Sequence, residues 1–224
     1  MKILAIETSC DETAIALVEA SGGLRQPNFK ILKNLVSSQI KIHRPFGGVV
    51  PSLAKREHIK NLPLVLEQVL GKEQIAKRTM EKIDAVAVTV GPGLEPALWT
   101  GINFSKDLAR HYKKPLLGIN HLEGHLYSFL LSPKRDKFYP AIALIVSGGH
   151  TILIHQKNLT TWKKIGETRD DAAGEAYDKV ARMLNLPYPG GPELEKLALD
   201  GNPSAVEFPR PMIYQKNYDF SFSG

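Results

Sequence analysis

Two distant stretches of the chain follow one plan. Residues 3–19 and residues 141–155 each read as an apolar strand, a short polar loop and a second apolar strand. In the first copy, Met1–Thr8 (MKILAIET) and Ala14–Glu19 (AIALVE) flank the loop Thr8-Ser-Cys-Asp-Glu-Thr13. In the second, Ala141–Val146 (AIALIV) and Thr151–His155 (TILIH) flank Ser147-Gly-Gly-His150. Apolar β-rich runs separated by a few turn residues predict antiparallel hairpins. A hairpin plan used twice predicts two related lobes, each offering its loop to one cleft. The first loop carries hydroxyls and two carboxylates, Asp11 and Glu12. Taken alone it is an ordinary polar turn. In the second loop Gly148 and Gly149 permit positive φ and a close backbone approach, so Ser147 to His150 can hold a phosphate on its amides.

The segments between the hairpins alternate strand and helix, which places the chain in the α/β class. Lys30–Ser37 reads as a third strand. Ser52 is a candidate cap for a helix running to Leu70, with Leu53, Ile59, Leu62, Leu66 and Val69 on its apolar side and a kink or break expected at Pro63. Ile83–Val90 (IDAVAVTV) is almost continuously apolar, as in a parallel strand buried on both faces. Gly91-Pro-Gly ends it, and Pro96 opens a helix over Ala97–Tyr112. Strand, glycine turn and helix in that order build ligand sites at strand C-termini. Neither G-x-G-x-x-G nor G-K-[ST] is present, so a dinucleotide site and a P-loop are not supported. A further helix is expected from Asp170 to about Leu186, its first turn acidic as a helix N-terminus prefers. Tyr188-Pro-Gly-Gly-Pro192 then turns into a short helix with Glu193 and Glu195.

Charge and cysteine content narrow the function. The net charge of +6 and pI of 9.3 permit a polyanionic partner such as RNA. Lys33, Lys41, His43 and Arg44 form one basic stretch; Lys55, Arg56, His58 and Lys60 form another on the first helix, by default a solvated basic face and, on the sharper reading, an RNA-facing patch. The single cysteine, Cys10, cannot make an internal disulfide and fits a reducing compartment. No signal peptide is read at the N-terminus, where Glu7 interrupts the apolar run. No stretch is long and apolar enough to cross a membrane, and a cytoplasmic location is expected.

The sharpest chemical feature is His121-Leu-Glu-Gly-His125. Residues four apart share a helix face, so the two imidazoles can clamp one metal ion. The spacing matches H-E-x-x-H, but the acid does not. At about 100° per residue, Glu123 points roughly 200° away from His121, where a protease base could not reach a metal-bound water. The pair suggests metal binding without suggesting proteolysis; taken alone it reads equally as two polar residues on a partly exposed helix.

In order along the chain stand Ile6-Glu-Thr-Ser-Cys-Asp-Glu-Thr13, Gly47-Gly-Val-Val-Pro51, Gly91-Pro-Gly-Leu94, Asn120-His-Leu-Glu-Gly-His125, Val146-Ser-Gly-Gly-His-Thr151, Asp170-Asp-Ala-Ala-Gly-Glu-Ala176, Asp178-Lys179, Tyr188-Pro-Gly-Gly-Pro192 and Phe220-Ser-Phe-Ser-Gly224. This set resembles the TsaD family, formerly labelled sialoglycoproteases, over nearly the whole chain. The resemblance implies an actin-like (ASKHA) fold of two ribonuclease-H-like lobes, divided at 1–117 and 118–224. It implies transfer of L-threonylcarbamoyl from threonylcarbamoyl-adenylate to N6 of the adenosine 3′ to the tRNA anticodon, with release of AMP. One divalent metal ion, iron or zinc, falls to His121 and His125. Adenylate binding falls to Ile145, Val146, Ser147, Gly148, Gly149, Asp178 and Gly191, with Glu195 a less uniform match. Activity falls to the first loop through Glu12 and Asp11, and His150 faces the reacting carbonyl. The implied partners are tRNA and proteins of the TsaB and TsaE types.

The chain departs from the family in two ways. Glu95-Pro96 stands where small residues are usual. The family also continues beyond Phe-Ser-Phe-Ser-Gly, into a segment with a third metal ligand, an Asp, and an adenylate-binding Asn. A truncated chain with an incomplete second lobe is therefore expected. Three rival readings stay open: an ATPase or sugar kinase of the same fold class, a metalloprotease, and a non-catalytic partner subunit. The first and last have no need of the His pair.

Overall fold

A computed structural model describes residues 1–24, 26–132 and 139–224. It divides by internal packing into two units, Met1–Lys134 and Arg135–Gly224.

The first unit is built on a five-stranded sheet: β1 Lys2–Glu7, β2 Glu12–Ser21, β3 Asn28–Ser38, β4 Ala85–Gly91 and β5 Leu116–Asn120. The spatial order is β3-β2-β1-β4-β5. The first three strands form an antiparallel meander, and β4 and β5 join it parallel to β1. This is the topology of a ribonuclease-H-like lobe, and it confirms the α/β reading. Helices α1 Ile40–His43, α2 Pro51–Leu70, α3 Glu73–Glu81, α4 Glu95–His111 and α5 His121–Leu126 complete the unit.

The core forms because β4 is apolar at successive positions, Ala85 to Val88 all buried, while Leu4 and Ile6 of β1 and Ile15 and Leu17 of β2 alternate inward. Leu62, Val65 and Val69 of α2 pack on that layer. Burying such side chains contributes roughly 1.5–3 kcal/mol each.

Helix α2 differs in detail from its expected form. It starts at Pro51, with Val50 as cap and no side-chain cap bond, so Ser52 is not its cap. Its buried face is Ala54, His58, Leu62, Val65 and Val69, and Ile59 is exposed. His58 thus leaves the basic patch for the core, as does His43 at the end of α1. Pro63 lies inside a continuous helix. Helix α3 was not read from the sequence.

The second unit repeats the opening of the first. Strands β6 Ala141–Val146, β7 Thr151–Asn158 and β8 Thr161–Glu167 form an antiparallel sheet in the order β6-β7-β8. Helices α6 Ala173–Met183 and α7 Gly190–Ala198 follow and pack together. Helix α6 begins later than expected because Asp170 and Asp171 are taken by other partners. Asp170 accepts hydrogen bonds from Ser221, Phe222 and Ser223, and Asp171 pairs with Lys179 at 2.6 Å. The segment Tyr218–Gly224 is not a full strand; it makes one parallel bridge, Thr168 to Phe220.

Among the described residues no helix is long and apolar enough to cross a membrane.

Candidate active site

The first unit carries the His pair at the end of β5. Helix α5 starts there because the Asn120 side chain accepts from the Leu122 and Glu123 amides, a capping bond at 2.8 and 3.2 Å. Its six residues hold both histidines. A separate 3₁₀ turn, Ser128–Leu131, follows it. The rings meet edge to face with centroids 4.6 Å apart, and the two Nε2 atoms are 3.1 Å apart.

The other side of His121 is fixed. Its Nδ1 lies 3.3 Å from the Glu7 carboxylate and 3.3 Å from Ser9 Oγ. A carboxylate only accepts, so Nδ1 carries the proton and the Nε2 lone pair faces His125. Burial pushes the Glu7 carboxyl up, but hydrogen bonds from His121, Ser9 and Thr89 outweigh it and hold it at about 2. Burial and the neighbouring His121 push the His125 imidazole down, so its neutral, ligating form is favoured.

This donor set suits a borderline metal such as zinc or iron. One ion bonded to both nitrogens at about 2.0–2.1 Å fits the observed spacing, and a carboxylate behind a ligating histidine is the usual support. Among the described residues no group of three or more His, Cys, Asp or Glu side chains converges on one point. The described residues thus bring together two candidate ligands, His121 and His125, with Glu7 behind the first. Glu7, Ser9 and Thr89 were not read as site residues. The available signal was a carboxylate, Glu7, closing an apolar strand.

The first loop is held by its backbone. The carbonyl of Ser9 accepts from the Leu94 amide at 2.7 Å, that of Cys10 from His58 Nε2 at 2.9 Å and that of Asp11 from the Gln39 amide at 2.9 Å. A Cβ on Gly93 would stand 2.6 Å from the Ser9 carbonyl oxygen, so the glycine turn lies directly against the loop. The Glu12 side chain is exposed and Asp11 half-buried at the tip.

The second unit carries the glycine loop. Ser147 and His150 close the β6–β7 hairpin, with the Ser147 amide donating to the His150 carbonyl at 2.8 Å. The amides of Gly149 and His150 both point at Ser147 Oγ, at 3.3 and 3.0 Å. Neither Gly148 nor Gly149 uses positive φ, and a Cβ on either would meet open space. Their value here is clearance above the loop.

The close approach occurs at Gly174, in the first turn of α6. A Cβ there would lie 2.8 Å from both Gly148 Cα and the Ser147 carbonyl oxygen. Gly174 donates its amide to Ser147, and Ala173 donates to Thr151 Oγ1 at 2.9 Å. The positive end of α6 therefore sits on the glycine loop, an arrangement that favours anions.

Ile145 is buried in β6, while Val146 is exposed at its end. Asp178 accepts from the Gly190 amide at 2.7 Å and so ties α6 to the start of α7, one residue before Gly191. Glu195 is exposed on α7.

Residues 30–224 match one protein family, TsaD, tRNA N6-adenosine threonylcarbamoyltransferase. The chain belongs to the TsaD family. It is 50% identical over 225 residues to the tRNA N6-adenosine threonylcarbamoyltransferase of Fervidobacterium nodosum, covering 100% of this chain and 63% of that protein. With the protein of the same name from Moorella thermoacetica it shares 52% over 223 residues, 99% of this chain and 62% of that one. The corresponding figures for Thermosipho melanesiensis are 51%, 100% and 65%. The chain thus spans less than two thirds of the length of these TsaD relatives. A solved Pseudomonas aeruginosa structure titled YeaZ is similar at 16% identity and a TM-score of 0.39, over 73% of this chain and 68% of that one.

Proposed function

We propose that the protein works in the cytoplasm in tRNA threonylcarbamoyladenosine synthesis. It would transfer L-threonylcarbamoyl from threonylcarbamoyl-adenylate to N6 of the adenosine 3′ to the anticodon, releasing AMP. The observation that carries this reading is the His121–His125 pair, backed by Glu7, in a chain of the TsaD family. An ATPase or kinase of the same fold class has no use for such a pair.

The chemistry asks little covalent work of the protein. The adenylate is a mixed anhydride, already activated, so the incoming amine attacks the carbamoyl carbon and AMP leaves. The enzyme must hold the phosphate, orient the carbonyl and admit the amine. The glycine loop and the positive N-terminal end of α6 would face the phosphate, and stabilising its charge as AMP departs favours transfer. Asp178 and Gly191, with Ile145 and Val146 on the strand and Glu195 on α7, complete the adenylate contacts in this reading. Glu12 and Asp11 orient the amine, and His150 faces the carbonyl. His121 and His125 would hold iron or zinc, which supplies a Lewis acid when bound. Proteins of the TsaB and TsaE types are the proposed partners.

The test is a tRNA modification assay with those partners, scored by the mass of the modified nucleoside. His121→Ala and His125→Ala should each abolish product and bound metal. Full stoichiometric metal in both folded variants would refute the site.

A further inference from the structure

Among the polar residues of the first unit that are 0% exposed are Thr13, Gln39, His43 and His58. The sequence reads His43 and His58 as members of two basic stretches; the structure joins them in one hydrogen-bonded chain. Its direction is fixed by the groups at its ends. The Cys10 carbonyl only accepts, so His58 Nε2 donates to it at 2.9 Å. His58 Nδ1 is then the acceptor, taking Thr13 Oγ1 at 2.8 Å and Gln39 Nε2 at 3.3 Å. That leaves Gln39 Oε1 to accept from His43 Nε2 at 3.0 Å. His43 Nδ1 in turn accepts from the Val50 amide at 3.3 Å. Every link has a donor and an acceptor, with both imidazoles neutral. Burial also pushes the His58 imidazole down, which agrees with the neutral form.

The chain ends where Asp11 and Glu12 begin. Gln39 supports the same loop both through His58, which its side chain meets, and directly, its amide donating to the Asp11 carbonyl at 2.9 Å. At the other end lies Val50, in the Gly47-Gly-Val-Val-Pro51 segment that starts α2. A buried polar group costs free energy unless satisfied, and a fully satisfied network fixes one arrangement. The α2 position at 58 could be filled by an apolar side chain if only packing mattered.

We infer that His58, backed by Gln39 and His43, is a positioning residue that fixes the loop presenting Asp11 and Glu12. None of the three touches substrate in this scheme; they act through the Cys10 and Asp11 carbonyls. The effect on rate rests on the proposed catalytic role of that loop, whereas the effect on the loop does not.

The experiment compares His58→Phe, which keeps a ring but no hydrogen bond, with His58→Gln, which keeps a donor near the Nε2 position. Gln39→Met breaks the same chain from the other side and serves if His58→Phe fails to fold. Hydrogen exchange is followed in peptides covering residues 7–13 and β4. Exchange in the loop should rise by about tenfold or more in His58→Phe or Gln39→Met, with β4 unchanged, and fall back in His58→Gln. An unchanged loop in a folded variant overturns the inference. So does an equal rise in loop and β4, which marks global destabilisation only. In the transfer assay, His58→Phe should lower kcat by about tenfold with little change in KM for tRNA. A freed loop with unchanged kcat, while Glu12→Gln is inactive, overturns the positioning role in catalysis. A freed loop with both variants fully active refutes the catalytic assignment of the loop instead.

Discussion

The Glu7 carboxylate and His121 Nδ1 lie 3.3 Å apart, and that contact turns the other ring nitrogen toward His125. Glu7 is therefore expected to matter for metal binding although it is no ligand. Glu7→Gln keeps the shape but removes the charge that favours the Nδ1–H tautomer. Zinc affinity measured by calorimetry should fall about 10–100-fold, as for other partners of ligating histidines. An unchanged affinity would show that the pair is oriented by Ser9 and packing alone.

The glycine loop and α6 make opposite demands on two glycines. Gly148 has open space and an ordinary backbone, so Gly148→Val should fold with near-normal stability. It fills the clearance over the loop, and AMP binding should weaken by more than roughly tenfold, about 1.4 kcal/mol. Gly174 faces backbone atoms at 2.8 Å. Gly174→Ala must push α6 off the loop, at a cost of about 1–3 kcal/mol in urea unfolding. Unchanged AMP affinity in folded Gly148→Val would move the phosphate site elsewhere.

Acid should destabilise the first unit through His58. Its folded pKa is depressed by burial, so the native state holds it neutral. Above the unfolded value of about 6.5 neither state is protonated and the group has no effect. As pH falls below that value the unfolded chain binds the proton first, and stability drops by at most about 1.4 kcal/mol per pH unit until the native imidazole also protonates. Glu7 works in a lower window. Its folded pKa of about 2 gives stability that is present above the unfolded value and lost between roughly pH 4.5 and 2. Urea titrations at stepped pH should show a smaller upper loss in His58→Gln than in the wild type, the remainder falling to His125, which burial and His121 also push down. A slope unchanged in the variant would remove His58 from this window.

What the sequence carried well was periodicity. Both hairpins, the buried strand β4 and helix α4 follow from apolar runs and from glycine and proline positions, which act locally. What it carried poorly was the choice between a solvated polar side chain and a buried, satisfied one. His58 sits among Lys55, Arg56 and Lys60, and a one-dimensional reading assigns it to their face. Helix geometry puts it instead four residues after Ala54 and four before Leu62, on the buried side. Its partners Thr13, Gln39 and Cys10 lie far away in sequence, so no local signal announces them. Gly174 was hidden for a similar reason: its constraint is the backbone of Gly148, on another element.

The last prediction concerns tRNA. Lys55, Arg56 and Lys60 are exposed on α2, and Lys30, Lys33, Lys41 and Arg44 are exposed nearby in sequence, while His43 and His58 are withdrawn into the core. The proposed interface thus exposes lysines and arginines and no histidine, so tRNA affinity should vary little between pH 6 and 8 on account of this surface. Phosphate contacts release counterions, and affinity should fall steeply as salt rises. Reversing Lys55 and Arg56 to Glu should weaken binding to all tRNAs alike and flatten that dependence. Both side chains point away from the core, so folding should be unaffected and AMP binding at the glycine loop unchanged. The deciding measurement is a salt titration of tRNA binding with the TsaB- and TsaE-type partners present. If the helix is only a solvated face, the wild type and the double reversal will share one slope, and the RNA must then be sought on another surface.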